Sequence, residues 1–334
     1  MTRIGIIGSG FGLYGLLPAF NSIKGCEVVC ICGKKTERLL KYCESIGLTK
    51  IYTDWEEMLE KEKLDAVAIA VVPRVQYKIA KAAIKKGLHI FAEKPLAASL
   101  KDAEELFALA KKKKIVTAVD FIFPEIDEWK KAKELIDKRM YGELKQIKLK
   151  WNFLSYDIKN GIQTWKTSVE DGGGALSFYM SHSLNYLEYF GGQIVKTKSI
   201  FTYSKESKNG AEVGVDMLLR FKNKISGTVN FRCDAPAENT HKISFVCENG
   251  TIILENIKGV TQNFSLTVFD KDGPKDIALK KVKIAEGEDE RVEIVKRIAS
   301  RFIDGCKKRS KVAPSFAEGV RAQRLIEQIR NEAF

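Results

Sequence analysis

The stretch Arg3-Ile4-Gly5-Ile6-Ile7-Gly8-Ser9-Gly10-Phe11-Gly12-Leu13-Tyr14-Gly15 decides the fold. A short apolar run ends in a cluster of glycines that opens a helical pattern, and that strand–turn–helix setting is what makes a glycine fingerprint informative. Two registers fit. Gly10, Gly12 and Gly15 match G-x-G-x-x-G literally, but Gly8 is the residue that leaves the strand. We take Gly8 and Gly10 as the tight turn and the point where a pyrophosphate nears the backbone, with Leu13 where a small residue is usual. Backbone N–H groups of the segment Gly8, Ser9, Gly10, Phe11 and Gly12 then hold phosphates, helped by the helix dipole. The ligand this predicts is a dinucleotide.

Outward from the turn, short apolar runs alternate with helical patterns as far as Phe121, the signature of a parallel sheet wound with helices. Strands are predicted at Ile4–Ile7, Glu27–Cys32, Lys50–Thr53, Ala66–Val72, Leu88–Ala92 and Ile115–Val119. The run Ala66–Val72 is wholly apolar, as a strand buried on both faces must be. Asp54 with Glu57 makes a capping box, Gly87 supplies left-handed backbone after a lysine-rich turn, and Ser99 with Asp102 opens another helix. After Glu125 the rhythm changes. A helix over Glu125–Lys138 leads to alternating segments at Leu144–Ser155, Val195–Tyr203, Val213–Phe221, Ile225–Arg232, Lys242–Cys247 and Phe264–Phe269. Tight turns at Lys222-Asn223-Lys224 and Asn249-Gly250 mark them as an antiparallel sheet. Helical patterns cover Ala175–Phe190, Glu288–Gly305 and Phe316–Ala333. The expected class is α/β: a doubly wound parallel-sheet Rossmann domain over residues 1–122, then an α+β domain over 123–334 with a large, mostly antiparallel open sheet.

At 334 residues the chain is too long for one ordinary core, which agrees with two domains. The net charge of +13 raises the question of an anionic partner. The lysines are scattered over helical faces such as Lys78–Lys86, and no basic stripe is interleaved with aromatics, so no nucleic acid is expected. No run approaches the roughly 18 uncharged apolar residues of a membrane span, and the first apolar run is too short for a signal peptide. A cytoplasmic location is expected. Seven cysteines include Cys30-x-Cys32, a spacing that fits neither a zinc ribbon nor a redox CxxC pair, so they read as reduced core residues. Only His89, His182 and His241 are present, which excludes a histidine-rich metal site; no metal is expected.

The end of the second strand bears on which nicotinamide cofactor fits. An NAD-preferring site carries Asp or Glu there to bind both ribose hydroxyls. Here Gly33 holds that position and Lys34, Lys35, Thr36 and Arg38 follow, offering charge and hydrogen bonds to a 2′-phosphate. NADP(H) is therefore favoured, with NAD still possible, and placing Asp at position 33 should turn the preference toward NADH.

At Glu93-Lys94-Pro95, just after the fifth strand, the chain resembles the glucose–fructose oxidoreductase and inositol dehydrogenase family (Gfo/Idh/MocA). The likeness runs over nearly the whole chain. It takes in the Gly8–Gly12 turn followed by Leu17-Pro18-Ala19-Phe20, Asp65–Pro73, Glu93-Lys94-Pro95-Leu96, Trp165-Lys166-Thr167, Gly172-Gly173-Gly174-Ala175-Leu176, His182 and the position of Asn185. The resemblance implies that Val71, Pro73 and Glu93 line the cofactor and that the Lys94–Pro95 peptide is cis. It also implies that Lys94 orients the reacting oxygen or exchanges its proton, and that His182 shares that work. It implies a homodimer or homotetramer joined through the large sheets. Chemistry supports the two residues. Moving hydride to or from a CH–OH carbon needs a group that takes or gives the hydroxyl proton. Lys94 follows a strand at the carboxyl edge of the sheet, where open α/β folds bind ligands. Histidine is the side chain best poised for proton transfer near neutral pH, and the glycines before His182 should let backbone approach a ligand or the first domain.

The chain departs from the family pattern four residues before the histidine, where the polyol dehydrogenases carry an aspartate and this chain has Phe178. Met180 stands for a glycine, and Asn185 for a common aspartate. These changes argue against an inositol-dehydrogenase-like site and for one closer to the sugar or nucleotide-sugar ketoreductases. Trp165, Lys166, Tyr179 and Asn185 are candidate contacts to a carbohydrate. The leading expectation is an NADP(H)-dependent oxidoreductase exchanging hydride with a secondary alcohol or ketone of a sugar or nucleotide-linked sugar. The alternatives are a polyol or inositol-type dehydrogenase using NAD and, from another class, a non-catalytic NADPH-binding sensor.

Overall fold

Six parallel strands build the first sheet of the computed structural model, which describes residues 1–204, 210–281, 284 and 286–333. They are β1 (Thr2–Ile7), β2 (Cys26–Cys32), β3 (Ile51–Tyr52), β4 (Ala66–Ile69), β5 (His89–Ala92) and β6 (Thr117–Val119). Their order, β3-β2-β1-β4-β5-β6, reverses direction between β1 and β4, the switch point where such sheets bind ligands. Between them run α1 (Leu17–Asn21), α2 (Glu37–Ser45), α3 (Trp55–Lys61), α4 (Pro73–Lys85) and α5 (Leu100–Lys112). β4 is shorter than its apolar run because Pro73 starts α4 and holds Val72 extended as the residue before it. The first helix opens with one wide turn over Gly12–Leu16, in which the N–H of Leu17 donates to the carbonyl of Gly12. Pro18 follows directly and has no N–H with which to continue a normal ladder.

The second sheet has eight strands in the order β14-β13-β12-β11-β7-β10-β9-β8. They are β7 (Leu144–Asn152), β8 (Ile194–Tyr203), β9 (Glu212–Phe221), β10 (Ser226–Arg232), β11 (Thr240–Cys247), β12 (Gly250–Asn256), β13 (Ser265–Asp270) and β14 (Gly273–Asp276). All neighbours are antiparallel except β7 and β10. β12 and β14 are absent from the strands predicted above. β12 alternates Ile252, Leu254 and Asn256 inward, so its period is legible; β14 is exposed and follows only from pairing with β13. One face is covered by α6 (Asp127–Asp137) and α9 (Met180–Gly191), with Trp129 and Tyr186 fully buried. The other carries Lys148, Lys150, Lys198 and Arg220 around exposed Ile200 and Leu218. Short helices α7 (Tyr156–Lys159) and α8 (Ala175–Phe178) precede α9, so the helix expected over Ala175–Phe190 is broken at Tyr179.

The chain ends with α10 (Val292–Lys308) and α11 (Phe316–Asn331). The compact units are Met1–Ile122 with Lys283–Gln323, and Phe123–Val282 with Arg324–Phe334. The units part after residue 122, and the difference from the expected division is that a segment near the C-terminus returns to the first of them. A parallel sheet needs both faces covered, and α10 supplies part of that cover by burying Val295, Ile298, Phe302 and Ile303. Phe302 meets Phe91 and Phe20 edge to face at 5.8 and 6.3 Å. The apolar stripe of α10 was readable in the sequence; the sheet it belongs to was not. All seven cysteines are free thiols, and burial pushes those of Cys26, Cys30 and Cys306 up to about 12, far from reactive thiolates.

Candidate functional site

In the first unit the glycine turn sits at the carboxyl end of β1. Gly8 has φ +129°, and a Cβ there would lie 2.2 Å from the Ala70 carbonyl oxygen, so only glycine fits. A Cβ on Gly10 would meet nothing within 4 Å, which leaves room above the turn. Gly12 has ordinary clearance. Gly15 gives way to the Phe11 ring, which folds back to 2.2 Å from where its Cβ would stand. The guanidinium of Arg291, in the segment leading into α10, lies 4.3 Å from the Phe11 ring centre and chelates Asp289 at 2.8 and 2.7 Å.

Past β2, Gly33 lies against Ser9. A Cβ at position 33 would come 2.8 Å from the Cβ of Ser9 and 2.9 Å from its nitrogen, so an aspartate cannot be added there without moving the turn. A Gly33→Asp variant would therefore carry a displaced turn beside its charge effect. Lys34, Lys35 and Arg38 are exposed, and Arg38 stands 5.3 Å from the Tyr14 ring. Thr36 is occupied as the cap of α2, accepting the N–H of Leu39 at 3.2 Å.

The segment after β5 is fixed by its neighbours. The Lys94–Pro95 peptide is cis. The buried Gln76 amide, on α4, reaches the carbonyls of Glu93, Pro95 and Leu96 at 2.7, 3.1 and 3.1 Å. The N–H of Glu93 donates to Ile69 and the N–H of Lys94 to the Glu93 carboxylate. Lys94 is half-buried, as are Glu93 and Val71, and Pro73 is buried at the start of α4. The structure thus gathers the glycine turn, Gly33, Val71, Pro73, Glu93 and Lys94 along the carboxyl ends of β1, β2, β4 and β5. Gln76, Arg291 and a buried carboxyl, Asp120, belong to the same edge and escaped the sequence reading. Gln76 and Asp120 read as ordinary helix and strand-end polar residues, and Arg291 comes from far beyond β6 in the chain.

In the second unit Trp165 and Lys166 form a one-turn helix capped by Thr164. Trp165 meets Phe178 edge to face at 5.2 Å, while the Lys166 ammonium pairs with Asp157 at 3.1 Å and lies 4.9 Å from the Phe178 ring centre. Two of the three glycines serve this local packing. A Cβ on Gly173 would stand 2.1 Å from the Trp165 carbonyl, and Gly174, at φ +93°, faces the Glu212 carboxylate. Glu212 is 3% exposed; it accepts the N–H of Leu176 at 2.9 Å and the Arg330 guanidinium at 2.9 Å, and Arg330 also binds the Gly173 carbonyl.

Tyr179 lies at the break between α8 and α9, and His182 and Asn185 follow on α9, three residues apart. Tyr179 packs among Trp151, Phe153, Phe178 and Phe231, and burial raises its phenol well above the ordinary value. His182 is 8% exposed, with its ring edge-to-face on Phe123 at 5.1 Å, and Asn185 is half-buried. The other histidine of this unit has a different setting. His241 is enclosed, stacked on Trp151 at 4.4 Å and bonded to the Tyr186 hydroxyl at 3.0 Å, and burial pushes its pKa down to about 3. It is a neutral core residue.

Comparison with known proteins agrees with both units. Residues 2–121 match an oxidoreductase family with an NAD-binding Rossmann fold, and residues 129–253 match the Gfo/Idh/MocA C-terminal domain. An uncharacterized oxidoreductase of Synechocystis sp. is 25% identical over 97% of this chain and 92% of its own. Myo-inositol 2-dehydrogenase of Thermotoga maritima is 24% identical over 78% of this chain and 77% of its own. Among solved structures, a levoglucosan dehydrogenase in complex with NADH and L-sorbose has the same fold, at a TM-score of 0.87 and 19% identity, covering 99% of this chain and 96% of that one. A 3-ketoreductase from Actinomadura kijaniata in complex with NADP and TDP-benzene does too, at 0.83 and 19% over 99% and 98%. With both of its domains matched, the chain belongs to the Gfo/Idh/MocA family of NAD(P)-dependent oxidoreductases.

Proposed function

We propose that this oxidoreductase prefers NADP(H) and exchanges hydride with a secondary alcohol or ketone of a sugar or nucleotide-linked sugar. The observation that carries the reading is the second-strand end. Gly33 is packed against Ser9 with no space for the carboxylate that would bind ribose hydroxyls, and Lys34, Lys35 and Arg38 stand exposed beside it. The glycine turn and this strand end suit the cofactor, which supplies or takes the hydride when bound.

The chain's own residues handle the proton. Lys94, on a turn fixed by the Gln76 amide, gives or takes the proton of the reacting oxygen, and His182 acts in the same step. Trp165, Lys166, Tyr179 and Asn185 are proposed to contact the carbohydrate. The Phe178 ring, where polyol dehydrogenases of this family have an aspartate, cannot accept a hydrogen bond from a polyol hydroxyl, which favours a ketoreductase-like substrate over an inositol. Relatives support that class: the curated matches include a dTDP-3,4-didehydro-2,6-dideoxy-alpha-D-glucose 3-reductase of Streptomyces violaceoruber, 26% identical over 43% of this chain and 42% of its own.

A panel of nucleotide sugars, free sugars and inositols, each offered with NADPH/NADP and NADH/NAD and followed at the nicotinamide absorbance, tests the reading. Turnover of a keto sugar or its alcohol with the phosphorylated cofactor is expected. Turnover confined to inositols with NAD would replace it, and binding of NADPH without any turnover would point to a sensor. Assembly as a dimer or tetramer through the lysine-rich sheet face is part of the same proposal, and a monomer in sedimentation equilibrium at micromolar concentration would remove that part.

A further inference from the structure

Two carboxyl side chains stand side by side at the carboxyl ends of β5 and β6, and the reading above uses only one of them. Ala92 and Val119 are register partners, so Glu93 and Asp120 are the next residues out on adjacent parallel strands. The N–H of Asp120 donates to the Ala92 carbonyl at 2.9 Å, which fixes its backbone beside Glu93. Its side chain is 1% exposed, and Oδ1 has no hydrogen-bond partner among the described residues. The Glu93 carboxylate lies within interaction range of the Asp120 side chain, and the N–H of Lys94 donates to Glu93 Oε2 at 3.1 Å.

Two carboxyl groups can share a hydrogen bond only if one of them carries a proton; as two anions they repel. The surroundings decide which one keeps it. Glu93 is half-exposed and already accepts a backbone N–H. Asp120 is enclosed, and nothing donates to Oδ1 among the described residues, so a charge there would be buried without compensation. Burial first, and the Glu93 charge second, raise Asp120 well above the usual carboxylate range. The charges of Arg291 and Lys94 act the other way without reversing the result.

We propose that Asp120 is a neutral carboxylic acid that donates its hydrogen to the Glu93 carboxylate, which makes it a positioning residue for the Glu93-Lys94 turn. The pair then presents one negative charge to Lys94 and Arg291 instead of two. The O–H bond also holds the Glu93 side chain in the orientation that accepts the Lys94 N–H. The proposal rests on the reading of Lys94 as the proton-transfer residue for its functional consequence, but not for the protonation state itself.

The test begins with the full chain carrying aspartate labelled with carbon-13 at the side-chain carboxyl. Carbon NMR is recorded from pH 5 to 8, and the Asp120 signal is identified by its loss in Asp120→Asn. The signal is expected to keep its protonated position through neutral pH. In Glu93→Gln, where the neighbouring charge is gone, its ionisation should move down by a unit or more. A signal that titrates like an ordinary aspartate, or that ignores Glu93→Gln, overturns the proposal.

The second arm measures turnover with the substrate found in the sugar panel. Asp120→Leu should lower kcat about 10-fold, the scale of one charge-assisted hydrogen bond, with NADPH affinity little changed. Asp120→Asn, whose amide can donate to Glu93, should recover most of that loss. An asparagine variant no better than leucine contradicts the positioning role. The NMR arm needs no substrate, so it separates a failure here from a failure of the sugar-oxidoreductase reading.

Discussion

Lys94 and His182 are held in opposite ways. Lys94 rides on a turn fixed by hydrogen bonds: a buried glutamine amide spans three carbonyls, the N–H of Glu93 donates to the end of β4, and the N–H of Lys94 donates to the Glu93 carboxylate. His182 sits on a helix whose surroundings are aromatic rings, with Phe123 against its own ring and Tyr179 one turn earlier among four others. Directed bonds fix an angle, whereas packing fixes a volume. The first region should therefore tolerate change in the reacting side chain and resist change in its supports. The second should couple function and stability in the same residues.

The largest expected effect breaks a support. Arg330→Met leaves Glu212 buried without its cation, beside the glycine loop that leads to α8. Removing one partner of such a pair costs about 3–5 kcal/mol. Urea unfolding should show that loss, and a cost below about 1 kcal/mol would mean that the pair is solvated and does not pin the loop.

Next come the two side chains proposed to exchange the proton. Lys94→Met and His182→Asn should each lower turnover roughly 100-fold or more, the usual scale for general acid–base groups. Their stabilities should part. Half-buried Lys94 should leave the melting temperature nearly unchanged, while His182→Asn, at 8% exposure and against Phe123, should cost about 1 kcal/mol. Nothing local in the sequence shows the Phe123 contact that sets this cost. If His182→Asn destabilises the protein while the folded fraction turns over normally, the histidine is a core residue and its proposed role is wrong.

The two histidines of the second unit sharpen the comparison through pH. His241 titrates near 6.5 when unfolded and near 3 when folded, so below pH 6.5 the unfolded chain binds a proton that the native one does not. Its contribution is fully present above pH 6.5 and is lost as the pH falls toward 3, at about 1.4 kcal/mol per pH unit. His241→Gln should flatten the stability profile by that one-proton slope, measured by denaturant unfolding at pH 5 and 7, with turnover per folded molecule unchanged. An unaltered slope would mean that His241 is charged in the native state.

The parts legible in the sequence were those with a local cause. Gly8 had to leave a strand with backbone no other residue adopts, and the position of Lys94 after an apolar run placed it at the sheet edge. The parts that were not legible depend on distant partners. Nothing local ties α10 to the first sheet or aims Arg291 at Phe11, and nothing local sets Gly173 against the Trp165 carbonyl or Gly174 against Glu212. Asp120 was missed because a carboxyl at a strand end is common, and only its enclosure beside Glu93 makes it unusual.

The smallest effect concerns the cofactor. Lys34→Ala with Arg38→Ala should weaken NADPH by about 10-fold, as loss of partly screened charge contacts to a 2′-phosphate implies, and leave NADH almost unaffected. Calorimetric titration of both cofactors checks it, and equal losses for the two would show that these side chains do not read the 2′-phosphate.

The most direct test of the central claim, that Lys94 and His182 act in the same proton-transfer step, is a double-mutant cycle on turnover. Residues working as one unit are strongly non-additive. With the best sugar substrate and saturating NADPH or NADP, the double variant Lys94→Met/His182→Asn should be no slower than the slower single variant by more than a few-fold. Losses that multiply, to roughly 10,000-fold, would show two independent contributions and contradict a shared step.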